Sequence, residues 1–138
     1  MRETVPTTSP FAGLRVLVAE DMQMVAATIE MLLQKRGCQV IGPFPTVSGA
    51  MAAIKTATTI DLALLDVNLD REAVYPVAEE LDRKSVPYVF LTGYSSSFLP
   101  AAYRGRALLE KPFTTADFDR AMHGALARKQ GQATPPSP

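Results

Sequence analysis

Three carboxylates, a hydroxyl and an ammonium fall at the ends of apolar runs. Glu20-Asp21 follows Leu14-Arg15-Val16-Leu17-Val18-Ala19, and Asp66 follows Leu62-Ala63-Leu64-Leu65. Thr92 ends Tyr88-Val89-Phe90-Leu91-Thr92, and Lys111-Pro112 comes just after Ala107-Leu108-Leu109. Carboxylates brought together repel one another, so either a proton is taken up or a cation sits between them. An all-oxygen set with few protein ligands suits Mg2+, which keeps several waters and takes its remaining ligands from phosphate; Mn2+ is the alternative ion. Asp21 and Asp66 are the candidate direct ligands, with the backbone carbonyl of Asn68 as a third and Glu20 acting through water. With charge neutralised in this way Asp66 can attack phosphorus and form an acyl phosphate. No separate base is required, because a carboxylate is already ionised at neutral pH. The transition state spreads charge over its equatorial oxygens. The metal and the Lys111 ammonium would neutralise that charge. The Thr92 hydroxyl and the N–H groups following Asp66 and Thr92 would donate to it.

Those residues can meet only if the runs that carry them lie side by side. The runs are short, apolar and without alternation, which is the pattern of strands buried on both faces. A further strand is expected at Gln39-Val40-Ile41, stopped by Gly42-Pro43 and Pro45. Between the strands, apolar residues recur at helical spacing. Val25, Ile29, Leu32, Leu33 and Arg36 mark a first helix, closed by Gly37 as a left-handed cap. Val47, Ala50, Met51 and Ile54 mark a second. Val74, Val77, Ala78 and Leu81 mark a third, in which Pro76 must lie within the first turn. A fourth helix around residues 98–104 is only weakly signalled, because three serines precede it and Pro100 interrupts it. Phe118, Ala121, Met122, Ala125 and Leu126 mark the last, capped by Gly131.

Strands and helices therefore alternate five times. The expected fold is α/β and flavodoxin-like: a doubly wound, five-stranded parallel sheet of order 2-1-3-4-5 with helices on both faces. Ligands in such sheets bind outside the carboxyl ends of the strands. Glu20, Asp21, Asp66, Thr92 and Lys111 all belong to that one rim.

Composition bounds the remaining possibilities. The chain has 138 residues, 47% hydrophobic and 20% charged, which fits one globular domain. Fourteen basic residues balance fourteen acidic ones, so no charge excess argues for nucleic acid or an anionic membrane as partner. A single cysteine, Cys38, builds neither a disulfide framework nor a zinc site, and a cytoplasmic setting is the expectation. No apolar run approaches the roughly 20 residues that cross a bilayer. Residues 1–10 and 131–138 are expected to be disordered, leaving a folded unit over residues 11–130.

Taken singly, each site residue has a plainer reading. Asp21 could be the N-cap of the first helix, Asp66 and Thr92 turn residues, and Lys111 a solvated surface charge. His123 lies on the last helix, away from the proposed rim, and Cys38 reads as a small strand residue. The five positions together are what argue for chemistry.

In order and strand position, Glu20-Asp21, Asp66, Thr92 and Lys111-Pro112 resemble the residue set of two-component response regulator receivers, over about residues 13–129. Phe90-Leu91-Thr92-Gly93-Tyr94 is similar to the signature of the single-domain receivers called FAT GUY. The resemblance implies a stand-alone switch that accepts a phosphoryl group on Asp66 from a histidine kinase or histidine phosphotransfer protein. Such a switch catalyses only its own transfer and slow dephosphorylation, and acts on a downstream protein rather than on nucleic acid or membrane. It also implies a cis bond before Pro112 that aims Lys111 inward, and a tuning position at Tyr94. Ordinary receivers carry Tyr or Phe three residues before the lysine, as a ring that changes rotamer when the threonine moves. Here that residue is Leu108, so Thr92, Tyr94 and Leu108 are the switch positions to examine, together with a segment, residues 95–106, expected to order on phosphorylation. A phosphate sink or relay carrier, a phosphorylation-independent binding module of the same fold, and an enzyme on the same sheet remain as alternatives. The last lacks a Gly-rich phosphate loop after the first strand.

Overall fold

Val16, Leu17, Val18, Leu64, Leu65, Val89 and Phe90 expose no surface, so these strands are covered on both faces. In the computed structural model residues 9–57, 59–93 and 99–131 are described. In chain order they form β1 (Arg15–Ala19), α1 (Gln23–Lys35), β2 (Gln39–Phe44), α2 (Val47–Thr56) and β3 (Leu62–Asp66). A short hairpin of β4 (Asn68–Leu69) and β5 (Glu72–Ala73) follows, then α3 (Tyr75–Arg83) and β6 (Tyr88–Thr92). A 3-10 turn (Ala101–Tyr103), β7 (Ala107–Glu110) and α4 (Thr115–Gly131) complete the chain.

The main sheet is parallel, with order β2-β1-β3-β6-β7. Setting the hairpin strands aside, this is the order 2-1-3-4-5 expected from the sequence. Alternate strand residues feed two cores. Leu17, Ala63, Leu65, Tyr88 and Phe90 pack with Val47, Ile54, Val77 and Leu81 of α2 and α3. Val16, Val18, Leu62, Leu64, Val89 and Leu91 pack with Ile29, Leu33, Phe118 and Met122 of α1 and α4. Helices therefore cover both faces, and the strand ends are left for polar residues. The partly buried Arg36, which shares the apolar spacing of α1, makes a two-pronged bond to Asp119 of α4 at 2.6 and 3.1 Å. Its guanidinium lies 5.5 Å from the centre of the Phe118 ring.

Two local expectations and one plainer reading are corrected. First, β2 does not stop at Gly42-Pro43 but continues to Phe44. It is an edge strand, where a proline's missing N–H breaks no ladder on the open side. The Gly42–Pro43 bond is cis, and Gly42 has φ +108°. A Cβ there would lie 2.9 Å from both the Val18 carbonyl oxygen and the Phe44 nitrogen, so only glycine fits. Second, the expected fourth helix is, over its described part, a single 3-10 turn with Pro100 at its N-cap; residue 98 lies outside the described residues. The proline and the short polar lead-in leave too few apolar positions to drive a longer helix. Third, Asp21 is not the N-cap of α1. Met22 holds that position and makes no side-chain cap bond, while the Asp21 carboxylate accepts from the Asp70 N–H. Other expectations match: Gly37 is left-handed at φ +81°, and Pro76 lies in the first turn of α3. The last helix runs on through Gly131, where the sequence places its cap.

Substituting Gly42→Ala should lower unfolding free energy by about 2–3 kcal/mol, since it adds both a left-handed penalty and a backbone clash. Urea denaturation checks this; a change under about 0.5 kcal/mol, the range of ordinary surface substitutions, would contradict the tight approach of Val18 and Phe44.

Candidate functional site

The sheet order brings the carboxyl ends of β1 and β3 together at its centre, with those of β6 and β7 alongside. Glu20 is 2% exposed, Asp66 7% and Thr92 4%; Asp21 and Lys111 are half-buried. Oxygens of Glu20, Asp21 and Asp66 all lie within 4.8 Å of one another. The Lys111 ammonium donates to Asp66 Oδ2 at 2.9 Å and to Glu20 Oε1 at 3.1 Å. Each of these two carboxylates also accepts a backbone N–H: Asp66 Oδ1 from Asn68 at 3.0 Å, and Glu20 Oε2 from Met22 at 3.1 Å. The third carboxylate, Asp21, accepts from the Asp70 N–H at 2.8 Å.

Strand pairing sets these distances. Ala19 lies beside Leu65, so Glu20 and Asp66 are the next positions along two adjacent strands. Asp66 pairs with Leu91, and Thr92 with Glu110. The Lys111 N–H donates to the Thr92 carbonyl at 2.8 Å, which carries the ladder one residue further and brings the lysine to the rim. The Lys111–Pro112 bond is cis.

Burial pushes the Glu20 carboxyl up to about 7, and the neighbouring Asp66 adds to the rise; the Met22 N–H and Lys111 oppose it without cancelling it. Burial works against the Lys111 charge, but its bonds to Asp66 and Glu20 outweigh that and hold its pKa above the ordinary lysine value. The cluster thus has more negative charge than one ammonium neutralises. Its donors are all oxygen, and they converge. Both features fit a hard divalent cation.

The rest of the expected site divides in two. Leu108 lies beside Phe90 in the β6–β7 ladder and packs half-buried on the α2–α3 core. Tyr94 and residues 95–98 lie outside the described residues. The expected ordering of residues 95–106 on phosphorylation thus falls partly on them. His123 is exposed, its ring 4.8 Å from that of Phe11 and away from the rim. Cys38 is buried just before β2, with its thiol pushed up to about 11 by burial. Sequence reasoning missed the β4–β5 hairpin and its Asp70 amide. Its turn residues, Asp70 and Arg71, have φ of 50° and 70°. Asp tolerates that region, but Arg carries no turn signal.

The response regulator receiver domain family matches residues 16–123. The chain belongs to that family. Receivers are signalling switches rather than enzymes of substrate turnover, and members typically bind Mg2+ at acidic residues such as those gathered here. Among relatives, the transcriptional regulatory protein PdtaR of Mycobacterium tuberculosis is 30% identical over 133 residues, covering 91% of this chain. The chain spans 63% of the length of PdtaR. The solution structure of SdrG from Sphingomonas melonis is 35% identical, with a TM-score of 0.75, covering 83% of this chain and 97% of that one. The BeF3-activated conformation of SdrG from Pseudomonas melonis matches at 35% identity and a TM-score of 0.71, covering 83% of this chain and 98% of that one. Among the described residues no helix is long and apolar enough to cross a membrane.

Crowding of the carboxylates has a cost that can be measured. In buffer containing EDTA, Asp66→Asn should raise unfolding free energy by about 1 kcal/mol, because it removes one of three charges while keeping an acceptor for Asn68 or Lys111. Urea denaturation reads this. A lowered midpoint would mean that the ion pair with Lys111 outweighs the repulsion.

Proposed function

We propose that this receiver takes a phosphoryl group on Asp66 from a phosphohistidine, on a histidine kinase or a histidine phosphotransfer protein, in a Mg2+-dependent reaction. The observation that carries this reading is the Lys111 ammonium held at 2.9 Å from Asp66 Oδ2. It fixes the carboxylate at the open rim of the sheet and stands ready to receive charge from phosphoryl oxygens. In the transfer, an Asp66 oxygen bonds to phosphorus as the P–N bond to the donor imidazole breaks; the leaving nitrogen keeps the electron pair and takes a proton from water. Asp21, Asp66 and the Asn68 carbonyl would hold the cation, with Glu20 acting through water. The bound ion supplies a divalent charge against the phosphoryl oxygens. The chain's own contribution is to hold the nucleophile by Asn68 and Lys111, and to offer the Thr92 hydroxyl and the N–H that follows Thr92 as donors. Burial of Asp66 and Glu20 excludes water from the back of the site.

The output is a change of protein–protein contact, and the single-domain FAT GUY type is the subtype that position 108 and the 90–94 motif support. The relative SdrG has a BeF3-activated conformation; an equivalent response to that phosphoryl mimic is expected of this chain. With a small acyl phosphate and Mg2+, the wild-type chain should take up one phosphoryl group, read on a phosphate-affinity gel. Asp66→Asn or EDTA should abolish uptake, and Lys111→Met should slow it by about 100-fold or more. Stoichiometric uptake by Asp66→Asn would refute the assignment.

A further inference from the structure

The β4–β5 hairpin is unusual in being held from outside itself. Its strands are two residues each, paired Asn68 with Ala73 and Leu69 with Glu72. Hairpins this short are marginal alone. Both residues of its turn are left-handed, Asp70 at φ 50° and Arg71 at φ 70°. Tight hairpins normally give these positions to Asn, Asp or Gly, and Arg pays the steric penalty in full. Three contacts outweigh this. Leu69 is wholly buried in the α2–α3 core. The Val74 N–H closes the base of the hairpin on the Val67 carbonyl at 2.9 Å. The Asp70 N–H reaches across 49 residues of sequence to Asp21.

Asn68 and Asp70 are two residues apart, and in an extended segment amides at that spacing face the same side. One engages Asp66 and the other engages Asp21. One side of the hairpin, from β4 into its turn, thus fixes two carboxylates at or just past the ends of two different strands of the main sheet. Glu20 and Asp66 are also held by Lys111. Asp21 is half-buried and lies between the end of β1 and the exposed Met22, and its bond is to the hairpin turn.

We propose that the Asp70-Arg71 turn is a positioning element for the cation site, with the Asp70 amide fixing the Asp21 carboxylate for metal binding. This rests on the receiver reading above. The geometry demands a left-handed residue with an N–H at position 70 and places no demand on its side chain. A cation drawn to Asp21 also polarises the carboxylate that the amide donates to, so the turn registers occupancy of the site.

The test is a titration of the full chain with MgCl2, followed by amide 1H–15N spectra. In the wild type, the Asp70 amide should shift with the same midpoint as that of Asn68. Asp70→Pro, which has no N–H and cannot adopt positive φ, should weaken Mg2+ binding by about tenfold, the usual scale for losing a group that orients a ligand. Asp70→Gly keeps the amide and the backbone conformation and should stay within about twofold of wild type. Circular dichroism establishes that each variant is folded. An Asp70 amide that stays still while that of Asn68 moves overturns the inference, as does a folded Asp70→Pro with wild-type affinity. If Asp70→Pro does not fold, the wild-type amide shift decides. No Mg2+-dependent shift anywhere at the rim overturns the receiver reading itself.

Discussion

Glu20 and Asp66 are carboxylates taken almost wholly out of water, and the Lys111 ammonium between them offsets part of the cost of putting them there. An uncompensated buried carboxylate would take up a proton, and Glu20 is already pushed up to about 7. The cluster stands at the edge of what one cation can hold. Much of the architecture serves that triangle. Parallel pairing of β1 with β3 sets Glu20 beside Asp66. The ladder from β3 through β6 to β7 delivers Lys111, one residue past the end of the last strand. The two apolar cores fix the strands so that these distances are not free to relax. The residual negative charge suits a divalent cation and would repel the anionic phosphoryl group until such a cation neutralises it.

Much of this was legible in the sequence, for a physical reason. Strands covered on both faces admit almost no polar residues, so the first polar residue after each apolar run marks where the strand leaves the core. Glu20, Asp66 and Thr92 stand out in that way, and the parallel topology then places them on one rim. Lys111 is legible only by position, after a run too short to be convincing alone. What was not legible depends on contacts distant in sequence. The Asp70-Arg71 turn contains no glycine or asparagine, and it forms because Leu69 and Asp21 hold it from outside. Gly42-Pro43 reads as a strand stop, yet at a sheet edge the chain passes through it. For Asp21 the sequence left a helix-cap reading beside metal binding, and its bond to the hairpin amide was not legible.

Leu108 sits beside Phe90 and packs on the same core as a group of aromatic rings. Tyr103 is stacked on Tyr75 with ring centres 5.1 Å apart. Phe90 stands edge-on to both. The 3-10 turn thereby docks on the start of α3 through aromatic faces, and the nearby Leu99 is buried in the same core. Face and edge contacts of this kind contribute roughly 0.5–1.5 kcal/mol each beyond area burial. That is enough to seat a three-residue turn that has little helical stability of its own.

Asp66, held by Lys111 and Asn68, is the proposed nucleophile. Acyl phosphates are reduced by borohydride, which converts the modified aspartate to a residue of lower mass that survives proteolysis. The wild-type chain, treated with a small acyl phosphate and Mg2+ and then reduced, should show this conversion in the peptide containing Asp66, and fragment spectra should place it at that residue. Conversion at another carboxylate, with the Asp66 peptide unchanged, would rule out Asp66 as the nucleophile.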